Sequence, residues 1–333
     1  MASHSPRFTA VSSSARQILL LLRCISFAKN AHVRVSAEGL RFSTEEGSVM
    51  EAFVFLEKAL FTSYSYNPPA APSSQDDVPD PPIFEVNLIS LLETLNIFSI
   101  SDPSTSKRPG EYDSFAAHRL SRHAGINAFS NHALGVTGIC TITYNGEGSA
   151  LGIHMSEAGV TTTCDLTTYE ADTNEEIPFN RDSLSLKTIM PSSCMLEAIT
   201  ELSSMSPTDL TIQASPNSRS ANLSLTATGA LGSATVDLTT HTDSDTPILE
   251  TFHCPAKTSA SFKFSLIKAA QRAMASASKV SLRLDEDGVL NMQYLIEIDS
   301  GHGDGVAFVD YRVVPLVEGE AEEDDCGSDD SDV

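Results

Sequence analysis

The chain contains no tryptophan, and aromatic residues make up only 7% of it. Its core must be built mainly from aliphatic side chains with scattered phenylalanines. The six cysteines, at positions 24, 140, 164, 194, 254 and 326, form no CxxC pair, and no histidine pair completes a zinc spacing. That excludes zinc fingers and ribbons. Most of the six fall within apolar patterns, as expected of buried, reduced thiols in a cytosolic or nuclear protein. No run of eighteen apolar residues occurs, so no helical membrane span is expected. Bases are scarce. The 21 Lys and Arg face 44 Asp and Glu, a net charge of −23. Nine of those carboxylates lie between residues 318 and 332, where no base interrupts them. Overall charge therefore argues against nucleic-acid binding, and any such role must rest on where the few bases sit.

What is present is a repeat. Residues 84–95 read FEVNLISLLETL, and residues 262–273 read FKFSLIKAAQRA. In both, Phe is followed by an apolar residue two places on, then by Leu-Ile, then by small or apolar residues at helical spacing. Each reads as a strand running into a short helix. The two copies start 178 residues apart, at 84 and 262. Ser13-Ser14 and Ser192-Ser193, each opening a helix-like apolar run, are 179 apart. Two pairs at nearly one offset point to a unit present twice. A chain of 333 residues accommodates about two such units.

Read in order, residues 7–11 form a strand, and Ser12 to Ser14 cap a helix carrying Ala15, Ile18, Leu19, Leu22 and Ile25. Residues 33–42 form a hairpin about Gly39, and strands follow at 49–55 and 60–66. The proline-rich stretch 67–82 can hold neither a ladder nor a helix interior and reads as an inserted loop. After the strand and helix at 83–95, residues 99–135 are a second polar insertion. Three strands span 138–166, and the acidic stretch 167–182 reads as a connector. The second unit then repeats the pattern, ending on strands at 280–284, 290–298 and 305–314. This predicts an α+β chain: an N-terminal domain over 1–166, the connector, a C-terminal domain over 183–317 and a disordered acidic tail over 318–333.

The ordered set ARQILLLLRCISF (15–27), EGLRFSTEE (38–46), FEVNLISLLETLNIF (84–98), LETFHC (249–254) and VSLRLDEDGVLNMQYLIE (280–297) resembles the PCNA-like sliding DNA clamps. The resemblance is to the Rad-one-type subunit of the heterotrimeric nine-one-one checkpoint clamp, of a fungal kind. It implies two tandem clamp domains, with antiparallel sheets outside and four short helices lining a pore. It also implies a ring made with two different clamp subunits, set on DNA by an ATP-driven loader in the nucleus, and recruiting checkpoint and repair proteins. It implies no cofactor, no metal and no chemistry performed by this subunit.

Within that frame, Arg16 and Arg23 share a face of the first helix, with Lys29 just beyond. Lys268 and Arg272 lie four apart on the last helix, flanked by Lys263 and Lys279. These seven bases suit loose phosphate contact, which needs charge but no base readout. The two middle helices carry no Lys or Arg, so retention by enclosure is expected to outweigh affinity. On the connector, Ile177, Pro178 and Phe179 are expected to pack along an apolar groove that receives partner peptides. The competing class is a metal-dependent 3′–5′ exonuclease. A two-metal nuclease needs several carboxylates converging on the cations. The acidic stretches here are Asp285-Glu286-Asp287, in a hairpin turn, and the tail, and both are poor cages.

Overall fold

A computed structural model describes residues 6–68, 81–97, 139–157, 160–171, 175–216, 222–239, 247–299 and 304–317. Residues 69–80 of the insertion 67–82, all of the insertion 99–135 and the tail 318–333 lie outside them.

The first unit comprises β1 (Phe8–Ser12), α1 (Ala15–Cys24), β2 (Asn30–Val35), β3 (Gly39–Glu46), β4 (Met50–Glu57), β5 (Ser63–Tyr66), β6 (Ile83–Asn87), α2 (Leu88–Asn96), β7 (Ile139–Tyr144), β8 (Leu151–Glu157) and β9 (Val160–Leu166). A two-residue strand, β10 (Thr168–Tyr169), opens the connector. The second unit comprises β11 (Leu184–Pro191), α3 (Ser192–Leu202), β12 (Asp209–Ala214), β13 (Leu223–Gly229), β14 (Gly232–Leu238), β15 (Thr251–His253), β16 (Thr258–Lys263), α4 (Phe264–Ala269), α5 (Gln271–Ser276), β17 (Lys279–Asp285), β18 (Leu290–Asp299) and β19 (Asp304–Val313).

The duplication is visible in the ladders, all of them antiparallel. In the first unit β1 pairs with β5 and β7, β7 with β8, and β8 with β9. The second ladder joins β6 to β2, β2 to β3 and β3 to β4. Raising each label by ten reproduces the second unit. The units join where β4 pairs with β19, Met50–Val54 against Val313–Val309, inside one ten-stranded sheet. Because they share this sheet, the buried apolar side chains of both halves form one continuous cluster.

The helices start where the local chemistry allows. Ser14, in extended conformation, accepts a hydrogen bond from the Gln17 N–H, and Asn87 accepts one from the Ser90 N–H. Such caps satisfy N–H groups that the first turn leaves without partners. The last helix, expected to be continuous, is interrupted at Ala270 between α4 and α5. The repeat is also shorter than its sequence offsets suggest. Leu88 N donates to Lys29 O, and Phe264 N donates to Thr208 O, so these helix starts correspond. They lie 176 residues apart, not 178. Phe262 thus takes the place of Val86 rather than Phe84. Strand side chains alternate with period two, so a two-residue slip leaves the same face buried. Phe84, Val86 and Phe262 all point into the core.

Candidate nucleic-acid interface

The helices lie in a row in the order α2, α1, α5, α3, so α1 of the first unit meets α5 of the second at the centre. Of the ten residues of α1 only Arg16, Leu20 and Arg23 escape burial. Tyr311 of β19 is fully buried, and its hydroxyl donates to the Cys24 carbonyl at the end of α1. Thr44 Oγ1 donates to Ile25 O at 2.9 Å. These two contacts hold the C-terminal end of α1 on the central sheet. Burial pushes the Cys24 thiol up to about 12, which makes it a packing group rather than a nucleophile. The five cysteines among the described residues are all free, as expected of reduced thiols.

Between α1 and α4–α5 lies an open depression of about 260 Å³, lined in part by Arg23, Phe27, Lys268, Gln271 and Arg272. Two of its guanidinium groups are braced. Arg272 Nη1 donates to Ser26 Oγ at 2.6 Å, a bond between the two halves, and Arg23 Nη2 donates to Asn96 Oδ1 at 3.2 Å. Lys268 is exposed. Lys29 and Lys263, also exposed, sit at the strand–helix junctions on either side. Away from the centre the sign reverses: α2 exposes Glu93, and α3 exposes Glu197 and Glu201. Folding therefore gathers bases from both halves at the middle of the helical side, leaving carboxylates on the outer helices. A sequence separation of about 250 residues hides this proximity.

Lys279 does not join the group. It opens β17 and pairs with Glu250, its Nζ 2.6 Å from Oε2. Val280, Leu282 and Leu284 alternate with it into the core, which puts Lys279 on the opposite side of the strand. Strand alternation, not sequence distance from the helix, decides its direction.

The connector crosses that opposite side of the central sheet. Ile177 is buried at 6% exposure. Its N–H donates to Glu51 Oε2 at 3.3 Å, and its carbonyl accepts from Arg312 Nη1 at 2.8 Å. Arg312 also pairs with Glu51 and with Glu176, and Arg41 pairs with Glu176. Both guanidinium groups stack on Phe53, at 4.2 Å for Arg41 and 5.5 Å for Arg312. The Arg41 hydrogen bond holds the Glu176 carboxyl below its ordinary range, whereas burial raises that of Glu51 despite Arg312. Ile177 is thus an anchor rather than a surface residue. Pro178 is exposed and Phe179 half-buried. None of the strand residues in this anchor was recognised from the sequence. Their only signal was polar residues alternating with apolar ones in strands that also read as core.

Residues 7–296 match the family described as "Repair protein Rad1/Rec1/Rad17". The chain belongs to this Rad1/Rec1/Rad17 family. It is 30% identical to the DNA damage checkpoint control protein rad1 of Schizosaccharomyces pombe, over 93% of this chain and 86% of that protein. It is 26% identical to the cell cycle checkpoint protein RAD1 of Homo sapiens, over 91% of this chain and 89% of that protein. It is 24% identical to the DNA repair exonuclease REC1 of Mycosarcoma maydis, over 81% of this chain and 69% of that protein. The paired ladders are those expected of a two-unit Rad1-family clamp fold. Among the described residues, no helix is long and apolar enough to cross a membrane.

Proposed function

We propose that this chain is one subunit of a heterotrimeric ring that encircles DNA at damage sites and recruits checkpoint and repair proteins. The observation that carries this reading is the β4–β19 junction. By the repeat, β14 corresponds to β4, and β9 corresponds to β19. Yet, among the described residues, β14 and β9 each pair with a strand on one side only, and each ends a separate sheet. An open edge invites pairing with another chain. Joining β14 of one subunit to β9 of the next would repeat the internal junction. A head-to-tail contact of this kind closes into a ring or runs on as a filament. On this reading the helical side faces the hole. Arg16, Arg23, Lys29, Lys263, Lys268 and Arg272 touch phosphates, and Lys279 does not. Pro178 and Phe179 are the connector residues open to partner peptides. The domains divide at the connector, 167–182, and an ATP-driven loader opens the ring in the nucleus.

The test is assembly with the two companion clamp subunits. A stable one-to-one-to-one complex is expected, with hydrogen exchange slowed over residues 160–166 and 232–238 on assembly. An isolated stable monomer that ignores both companions, or protection falling elsewhere, would reject the ring.

A second reading, a 3′–5′ exonuclease, has the name of the Mycosarcoma maydis relative in its favour. The central carboxylates argue against it. Asp285 is 2% exposed and accepts from Val289 N at 2.9 Å and Asn180 N at 3.2 Å, while Glu286 accepts from Ser183 Oγ. These groups brace a turn and the end of the connector. Magnesium-dependent DNA digestion by the purified chain, abolished by Asp285→Asn with the fold intact, would restore the nuclease.

A further inference from the structure

We propose that the acidic segment 318–333 docks on the basic depression between α1 and α4–α5 and competes there with DNA. Docking itself requires only the bases; its competition with DNA rests on the ring reading above. Three observations argue for this docking. The first is charge. The segment carries nine carboxylates and no base. The depression gathers Arg23, Lys268 and Arg272, and Lys263 precedes α4. Lys268 makes no ion pair among the described residues.

The second is where the segment begins. Leu316 N donates to Ser261 O on β16 at 2.7 Å, and Val317 is 91% exposed. β16 runs from Ser261 through Lys263 directly into α4. Sixteen residues reach at most about 53 Å, whereas the seven steps from Ser261 to Lys268 span at most about 24 Å even fully extended. The segment therefore reaches the depression with most of its length to spare.

The third is what repels it. A Cβ on Gly288 would lie 3.4 Å from Pro315 Cγ, so the turn Asp285-Glu286-Asp287-Gly288 adjoins the segment's root. Carboxylates there disfavour a course back across the turn. A docked segment would screen the helical side until DNA, a denser polyanion, displaces it.

The test uses the full chain and a full-length variant whose nine carboxylates from 318 to 332 are replaced by Asn or Gln. Both are treated with a water-soluble carbodiimide at low salt, and linked peptides of the monomer are mapped by mass spectrometry. Links from the segment to Lys263 or Lys268 are expected, lost in the amide variant and suppressed at about 0.5 M salt. No links, or links confined to Lys58, Lys187 or Lys257, would overturn the docking. The amide variant is also expected to bind a DNA duplex about tenfold more tightly at low salt. Equal measurable affinities would overturn the competition. Links to Lys263 or Lys268 with no DNA binding by either protein would uphold the docking and reject the DNA reading instead.

Discussion

Arg312 Nη1, on the last strand of the second unit, lies 2.9 Å from Glu51 Oε1, on the fourth strand of the first. Both side chains are nearly enclosed, at 13% and 11% exposure. The same guanidinium holds the carbonyl of Ile177. One residue therefore joins the two halves and the connector that links them.

Removing it should cost more than an exposed ion pair would. Arg312→Ala strands the Glu51 carboxylate beneath the connector and frees the Ile177 carbonyl. An uncompensated charge of this kind costs about 3 kcal/mol. Denaturant unfolding should show that loss. The double variant Arg312→Met, Glu51→Gln should recover much of it, because neither residue then leaves a buried charge.

Asp310 faces the same side of the sheet as Arg312 and is 5% exposed. Burial raises its carboxyl above the ordinary range, outweighing the hydrogen bonds from Gln293 and Asn291 and the attraction of Arg181 and Arg283. The folded state therefore prefers the protonated acid. Its contribution to stability is fully present below the ordinary carboxylate range and is lost as pH rises through the raised folded value. Asp310→Asn, which cannot ionise, should raise the melting temperature at neutral pH. The advantage should shrink as pH falls to about 3, where Asp310 is protonated in both states.

At Gly39, which opens β3, an added Cβ would sit 2.3 Å from the Leu56 carbonyl oxygen and 2.9 Å from the Phe55 ring. The oxygen belongs to the neighbouring strand and cannot swing aside as a side-chain tip would. Gly39→Ala should therefore cost about 3 kcal/mol, at the upper end of ordinary overpacking. Thermal unfolding would measure it, and hydrogen exchange should show the opening centred on residues 36–40.

On the helical side, Lys268→Gln should leave stability within about 0.5 kcal/mol of the parent, as for other surface changes. If the proposed DNA reading holds, its effect should appear in DNA binding, where losing one phosphate contact would flatten the slope of log affinity against log salt by about 0.9. Lys279→Gln is the control. That ammonium is held by Glu250 on the other side of the strand, and its loss should leave the salt slope unchanged.

Much of the fold was open to reading in the chain. The serines before α1, the proline at its boundary before α3 and the alternation in β3 and β17 are local signals, set by propensity and period. The repeat was visible for the same reason, since each copy must bury the same face of a strand and then of a helix. Its exact register was not. A shift of two residues preserves the buried face of a strand, so Phe84 and Phe262 could be matched by eye when the hydrogen bonds match Leu88 with Phe264. The interruption at Ala270 was likewise hidden, because alanine neither requires nor forbids it.

The amino-acid sequence alone determined the elements, their doubling and the sign of each charge, since these depend on side chains a few positions apart. The tertiary structure decided which charges meet. It set Arg272 against Ser26, turned Lys279 away from the bases that precede it, and buried Ile177 between Glu51 and Arg312. Such encounters join residues far apart in the chain. They exist only once the strands have paired and β4 and β19 have joined the two units in one sheet.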